Sequence, residues 1–588
     1  MKLLTVFLLI SLATLALMAE TIVPPGPVQG TWTQSGSPYR VTGNLSVAAG
    51  SSLLLEAGTE VIFAGTFRID VSGQLLASGI EAAPVTFTAQ DTLNGWSGIR
   101  FLNTGVPASG FTSTQFSYGK AMWGSGGADP LNYGGAIWAS NAGTLGFQGC
   151  SFIHCFSSQD GSAVYAKDGT NIVMQGCTVK SCESGFFGGV FVKNGTADIS
   201  GCSFESNAAV TFGAAIYLYE CGSASITSCT IAGNTAGAVA GIYCYDSPLV
   251  IRNSLLANND TTMGLGGGIG AIFGSLSAIN CTFAQNSSPQ GGAAIWLNSL
   301  GTPAQLANCL FWGNAPVAIT TTSCSYNLSH CSTQTQDGDA TNIWGDPQFE
   351  NEAEGDFSLS ATSPCIDAGN PDLSGLNLPP SDLAGMDRVV DGNGDGTPRI
   401  DIGCFEWQIP VVNGTLAGVV TDPEADPIGG ATVTVDGQTV VTDAAGEFSL
   451  ELLAGIYSLS CSAPDFETQV LENLTIIAGQ TTNVSIELVP IVANPQDTAP
   501  APFGLRVSPN PFVGSAEINW DMKHAAKLEI FNSRGQLVRS QLLDNANSQG
   551  SWFWDGKDDR RQDLTTGIYL IRLSTREKSY NSKVLLRK

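Results

Sequence analysis

The sequence predicts an all-β protein: a long coil of short parallel strands, followed by two small β-sandwiches. Three observations carry that expectation. Glycine is abundant, 69 in 588 residues against 7 methionines and 3 histidines, which favours turns and strands over helices. A cysteine column, Cys150, Cys177, Cys202, Cys229, Ser254, Cys281 and Cys309, recurs every 25 to 28 residues. Further columns keep the same period at fixed offsets. Two residues on lie Phe152, Val179, Phe204, Ile231, Leu256, Phe283 and Phe311, and five residues on lie Cys155, Cys182, Asn207, Asn234, Asn259, Asn286 and Asn314. A separate strand contributes Ile137, Val164, Val190, Ile216, Ile242, Ile269 and Ile295, each after small or glycine-rich sequence.

A period near 26 with β-branched and aromatic runs fits coils that stack at roughly 4.8 Å, so that each residue meets a like neighbour above and below. The cysteine and apolar columns, two residues apart, share one strand face and are placed inward. The asparagine column belongs at a bend, where stacked amides bond to one another and to turn backbone. Leucine at fixed short steps is absent, which excludes a leucine-rich horseshoe, and no 3.6-residue periodicity supports helical repeats.

In chain order, Met1-Lys2 and the apolar run from Leu3 to Met18, with Ala19 before Glu20, read as a secretory signal peptide over 1–19. A membrane anchor is the alternative, for which the run is short. No later stretch is apolar enough to cross a bilayer. The repeating middle of the chain resembles the right-handed parallel β-helix of pectate-lyase-like and surface adhesin-like proteins. Leu53 to Gly58, Gly73 to Gly79 and Trp96-Ser97-Gly98-Ile99 resemble the opening, capping coils of secreted β-helices. Gly345-Asp346-Pro347-Gln348-Phe349, Ser363 to Gly369 and Asp401 to Glu406 are similar to the closing segment of bacterial surface β-helix proteins. The helix is therefore expected over 30–408. Similar sequences usually carry alanine where this chain has Cys365 and Cys404, and the resemblance implies that these two motifs meet, so a Cys365–Cys404 disulfide is expected.

Residues 412–489 alternate as a small sandwich, for example Ala431-Thr432-Val433-Thr434-Val435, with turns such as Asp443-Ala444-Ala445-Gly446. Their motif order resembles the carboxypeptidase regulatory-like domain, which implies a spacer. A proline-rich linker follows at 490–502. From 503 to 588, Ser508-Pro509-Asn510-Pro511-Phe512, Trp554-Asp555-Gly556 and Gly567-Ile568-Tyr569-Leu570 resemble the Ig-like C-terminal sorting domain of type IX secretion. That resemblance implies the type IX machinery as a partner, and a protein of a Gram-negative bacterium, exported through the periplasm and secreted or attached to the cell surface.

The charge pattern separates the parts. The net formal charge is −26, yet residues 503–588 hold 14 Lys/Arg and 9 Asp/Glu, so this module is net +5 and the rest −31. An acidic body repels phosphate backbones, which excludes nucleic acid as a partner. An apolar fraction of 43% excludes disorder as the main state.

Chemistry is sparse. Lys167 and Lys193 stack on adjacent coils, with Asp168, Asn194, Glu220 and Asp246 next along the chain. They form either a lysine-plus-carboxylate site or a solvated bend of alternating charge. His154 and His330 are too isolated for metal or triad work. One residue after the inward column come Trp138, Tyr165, Phe191, Tyr217, Tyr243 and, after Gly270, Trp296, with Tyr219 and Tyr245 on the same outer face. These rings either stack against sugars or protect the face by stacking on each other. Asp391-Gly392-Asn393-Gly394-Asp395-Gly396 resembles the first half of a Ca²⁺ loop. The closing acid should fall at Ile402, and Asp401 stands one residue early; Ca²⁺ held by Asp391, Asn393, Asp395 and Asp401 is set against a polar turn. No Cys/His spacing supports zinc. The expected function is non-catalytic, adhesin-like binding of a glycan or another surface. The alternatives are a polysaccharide lyase or glycoside hydrolase on the outer face, and a structural surface-layer component.

Overall fold

The computed structural model describes residues 20–102, 108–122, 131–336, 339–409, 413–491, 505–521, 525–543, 549–575 and 578–587. The expected signal peptide and most of the expected linker lie outside the described residues. Two units are distinct, one ending at Pro410 and the other beginning at Val411.

The first unit is a coil of parallel strands that already begins at Thr21–Val23, ahead of the opening motifs. One turn shows the pattern: Thr178–Lys180, Glu183–Ser184, Val190–Lys193 and Thr196–Ser200 follow each other around the coil. Stacked turns make four parallel sheets, called sheets 1 to 4 in that order, with 14, 6, 12 and 12 strands among the described residues. The corners are single left-handed residues. After sheet 1 these are Tyr118, His154, Ser181 and Ser206, and after sheet 3 Asp168, Asn194, Glu220 and Asp246, with φ between 44° and 58°. One residue in that region reverses the chain direction sharply, which lets three- to five-residue strands close a coil.

The columns become ladders in register. Val179 pairs with Phe204, Phe204 with Ile231, and Ile231 with Leu256 in sheet 1. Val190, Ile216, Ile242 and Ile269 do the same in sheet 3. All are buried inside the coil. The asparagine column forms a chain of amides, each Nδ2 donating to the next Oδ1: Asn207 to Asn234 at 3.0 Å, Asn234 to Asn259, Asn259 to Asn286 and Asn286 to Asn314 at 2.9 Å. Each Nδ2 also donates to a carbonyl, as Asn259 does to Ile231 at 2.8 Å.

The cysteine column points inward as small thiols. Cys177 donates through Sγ to the Phe147 carbonyl at 3.3 Å, and its own amide donates to Cys202 Sγ at 3.3 Å. The expected Cys365–Cys404 disulfide is not formed; both thiols are free and buried. They enter different clusters, Cys365 beside Leu310 and Ile402, Cys404 beside Leu255 and Ala284. The closing motifs do meet, through the Ile402 amide and the Cys365 carbonyl at 3.0 Å, but the two side chains diverge. Burial pushes the Cys365 thiol up to about 11 and Cys404 up to about 12, which suppresses thiolate chemistry. Alkylation of the native protein should therefore label no buried cysteine, whereas alkylation in denaturant without reductant should label all 15. Intact mass measures both, and a denatured product short by any pair of labels would show a disulfide.

Residues 345–409 do not sit across the end of the coil. They run back along its flank and cover outward apolar residues of sheet 1: Phe357 and Cys404 lie on Leu255, Ala257 and Ala284. This strap is tied by Asn280 Nδ2 donating to the carbonyls of Asp401 and Gly403 at 3.1 Å, and by the Gly403 amide donating to the Asn308 carbonyl at 2.8 Å.

The second unit holds two sandwiches. In the first, Asn413–Thr421 lies between Glu447–Leu453 and Thr481–Glu487, facing a four-stranded sheet over a core of Leu416, Val433, Phe448 and Leu459. In the second, three-stranded and four-stranded antiparallel sheets enclose Phe512, Trp520, Trp554 and Tyr569.

Candidate functional site

Sheet 3 carries the outward residues of interest. In Val190–Lys193, Val190 and Val192 enter the coil while Phe191 and Lys193 leave it, as strand alternation requires. Two outward columns result. One holds the expected aromatic row and the other holds Ser140, Lys167, Lys193, Tyr219, Tyr245 and Ile272.

The aromatic row is outward but not open. Trp138, Tyr165, Phe191, Tyr217 and Tyr243 are only 4–7% exposed. They stack on one another, Tyr165 to Phe191 at 5.0 Å and Phe191 to Tyr217 at 4.9 Å. A second rank of rings seals them: Tyr133 on Tyr165 at 4.9 Å, Phe187 on Tyr217 at 4.8 Å and Phe212 on Tyr243 at 4.7 Å. These covering rings precede sheet 3, Phe212 at the end of a sheet 2 strand, and each is followed by a left-handed glycine: Gly134, Gly188 and Gly213. A Cβ at Gly134 would stand 2.2 Å from the Ile137 carbonyl oxygen, so only glycine brings the cover this close. The expected flat platform from Trp138 to Tyr243 is thus corrected to a buried double layer, with Trp296, half-buried, at its margin. Burial pushes the Tyr243 phenol up to about 12 and raises that of Tyr217 as well. In the same covering column Asp160 is buried, and desolvation pushes its carboxyl up to about 7. The sequence held a signal for this cover, since a ring precedes the glycine in three coils.

The column two residues further on is the open one. Tyr219 and Tyr245 are half-buried and stack at 5.1 Å with their planes 6° apart. Phe273, 51% exposed, meets Tyr245 edge-on at 5.4 Å. Lys193 Nζ lies 4.9 Å over the Tyr219 ring. The Tyr219 phenol is raised by desolvation and by the charge of the neighbouring Glu220. The result is a rigid, shallow strip of π faces with a cation and hydroxyls at its edge.

The lysine-plus-carboxylate candidates are placed along one bend. Lys167 Nζ lies 3.5 Å from Asp168 Oδ2, which also accepts from Ser140 Oγ at 2.7 Å, and 5.6 Å over the Trp138 ring. Asp168, Asn194, Glu220 and Asp246 are exposed in successive coils. The residues of the expected Ca²⁺ loop form a hydrogen-bonded turn. Asp391 spends both carboxylate oxygens on the amides of Gly394, Asp395 and Gly396, and Asn393 Oδ1 accepts from the Asp395 amide. Asp395 Oδ1 accepts from Thr397. Asp401 is buried and accepts from the amides of Asp367 and Trp407. Among the described residues no group of three or more His, Cys, Asp or Glu is placed to hold a metal ion.

Residues 134–311 match the right handed beta helix region, 415–489 the carboxypeptidase regulatory-like domain, and 506–587 the secretion system C-terminal sorting domain. The chain is a β-helix protein with a sorting tail. The tail marks this β-helix protein as exported, secreted or held at the cell surface, and implies contact with the secretion machinery. No helix among the described residues is long and apolar enough to cross a membrane. A curated relative, S-layer protein B of Metallosphaera sedula, is 35% identical over 80 residues, covering 14% of this chain. The chain spans about a fifth of that relative, 19% of its length. Among solved structures, the TIE protein of Bacillus anthracis is 16% identical, covering 32% of this chain and 33% of that one, with a TM-score of 0.13. Dimeric latent PorU of Porphyromonas gingivalis is 16% identical, covering 27% and 16%, with a TM-score of 0.14. A putative carbohydrate binding protein of Bacteroides uniformis is 10% identical, covering 30% and 98%, with a TM-score of 0.12.

Proposed function

We propose that the β-helix protein works by binding, without catalysis, and that it holds a glycan chain along the open strip of Lys193, Tyr219, Tyr245 and Phe273. The observation that carries this reading is the half-buried Tyr219–Tyr245 stack, two parallel rings 5.1 Å apart on a rigid sheet. The C–H face of a sugar ring suits such a π surface, and the Lys193 ammonium and the phenol hydroxyls supply hydrogen bonds at its rim. A shallow strip without walls gives weak binding per sugar and favours long chains. The signal peptide carries the chain across the inner membrane of a Gram-negative cell, and the sorting tail carries it from the periplasm to the surface through the type IX machinery.

A glycan-array screen with the mature chain tests the binding reading: retention of at least one glycan family is expected, with no new reducing or unsaturated ends released from it. Release of such ends would replace the reading with a lyase or hydrolase. Deleting residues 506–587 should strand the rest of the protein in the periplasm, seen by surface proteolysis of intact cells. Normal display of the truncated form would remove the tail from the export account.

A further inference from the structure

The bend between sheets 1 and 2 shows a second place where ring and charge come together. Its left-handed position is filled by Ser206, Gly233, Asn258, Gln285 and Gly313 in later coils, residues that tolerate or suit that turn. In two neighbouring coils it holds rings instead, Tyr118 at φ 58° and His154 at φ 54°. The turn itself does not select a ring, since serine, asparagine, glutamine and glycine fill the same position in the later coils. The two rings stack at 5.5 Å with planes 21° apart. They line a groove of about 330 Å³, at the small end of the range for small-molecule sites, with Lys120, Phe156, Ser181 and Glu183.

The chemistry around this groove is specific. Lys120 Nζ is fixed by donating to the Leu93 carbonyl at 2.7 Å, one of the three donors an ammonium carries. Glu183, exposed on the opposite side of Phe156 in sequence pairing, supplies acceptors. Phe156 pairs with Lys120 in one direction and with Glu183 in the other, so cation, ring and anion succeed each other at coil spacing. An apolar ring face between a donor and an acceptor matches a ligand that is itself apolar on its faces and hydroxylated at its edge. The opposite charges of Lys120 and Glu183 leave little net local charge, while the body outside the tail carries −31, which disfavours an anionic ligand.

We propose that this groove binds a neutral pyranose ring, stacked on Tyr118 or Phe156, with its hydroxyls bridging Lys120 and Glu183. It extends the binding reading to a second site on a different corner of the coil and uses none of the strip residues. His154 makes it observable. The chain has three histidines, His154, His330 and His524, so histidine-selective ¹³C labelling of the full chain gives three imidazole signals, and His154→Gln assigns one by its loss. Maltotetraose, cellotetraose and mannotetraose are titrated separately, with tetragalacturonate as the acidic probe, at low and high salt.

The proposal expects the His154 signal to shift saturably with at least one neutral probe, in the millimolar range and independently of salt. Tyr118→Ala and the milder Glu183→Gln should each weaken that binding at least tenfold, and Tyr219→Ala should leave it unchanged. A His154 signal unmoved by every neutral probe overturns the proposal. So does a shift by tetragalacturonate alone that fades with salt. Loss of the strip's glycan binding in Tyr219→Ala with the His154 shift intact separates the two sites, so either can fail alone.

Discussion

Asn259→Ala is expected to cost about 3–5 kcal/mol, because it breaks a ladder at its middle rather than removing one contact. Asn259 Oδ1 accepts from both the amide and the Nδ2 of Asn234, at 3.2 and 2.9 Å, and its Nδ2 donates to Ile231 and Asn286. Alanine leaves the buried Asn234 amide without its partner, at about 1–3 kcal/mol, and removes three further hydrogen bonds at about 0.5–1.5 kcal/mol each; Asn286 Oδ1 keeps the residue 259 amide and Asn234 Nδ2 keeps the Phe204 carbonyl. Asn258, one residue earlier, is an exposed left-handed corner, and Asn258→Gly should change stability by less than about 0.5 kcal/mol. Urea unfolding of the two variants checks the pair. Equal midpoints would mean that the amide ladder adds nothing beyond its neighbours.

Glu406→Ala is expected to cost a similar amount, about 3–5 kcal/mol, but locally, by loosening the strap. Arg388 Nη1 donates to Glu406 Oε1 at 2.6 Å with both side chains almost fully buried, and Nη2 reaches Asn253 of the coil. Glu406 Oε2 accepts from the Asp401 amide at 2.8 Å, and Asp382 Oδ2 accepts from the Glu406 amide at 2.8 Å. Removing the carboxyl group leaves a buried guanidinium whose Nη1 has lost its partner, with only Asn253 and the Ser381 carbonyl on Nη2. Replacing both partners, Arg388→Met with Glu406→Leu, should cost less than the single change, since no orphan charge remains. Hydrogen exchange of residues 365–407 reads the difference. Faster exchange in the double variant than in Glu406→Ala would contradict it.

The same cluster gives the strap a pH dependence with a definite sign. Burial pushes Asp401 up to about 7 and Glu406 up to about 9. Desolvation is the main cause, and the Asp367 charge beside Asp401 and the Asp401 charge beside Glu406 add to it, so the folded strap holds protons that the unfolded chain would release. The contribution is complete below about pH 4 and is lost as pH rises through the two raised values. Protection of residues 365–407, taken relative to the intrinsic base-catalysed exchange rate at each pH, should accordingly fall toward pH 9.

The ladders were legible in the sequence because a parallel coil turns a linear period into vertical neighbours, and alternation decides which residues point inward. Alternation also put Trp138, Tyr165, Phe191, Tyr217 and Tyr243 outside the coil, correctly. It could not say that they are covered, because the cover comes from Tyr133, Phe187 and Phe212, on another part of the coil, and a ring-glycine pair in three coils does not by itself say which face it lies on. The open strip differs from the buried row by two residues along the same strand. That difference depends on how far the cover reaches across the sheet, and no local pattern encodes it. The closing motifs did come together, but which way Cys365 and Cys404 face depends on the path of a strap without strand alternation. His154 looked isolated in sequence because its neighbours Tyr118, Lys120 and Glu183 lie 29 to 36 residues away, one coil or more above and below.

The central claim is that the working face is the open strip and that the sealed row only supports it. One paired measurement decides this: glycan retention and melting temperature of Tyr219→Ala/Tyr245→Ala beside Tyr217→Ala/Tyr243→Ala. The account predicts that the first variant loses binding at an unchanged melting temperature. The second should melt several degrees lower, since it opens the sealed layer, and should keep binding at temperatures where it remains folded. The reverse result, with binding lost only in the Tyr217/Tyr243 variant at full stability, would contradict it.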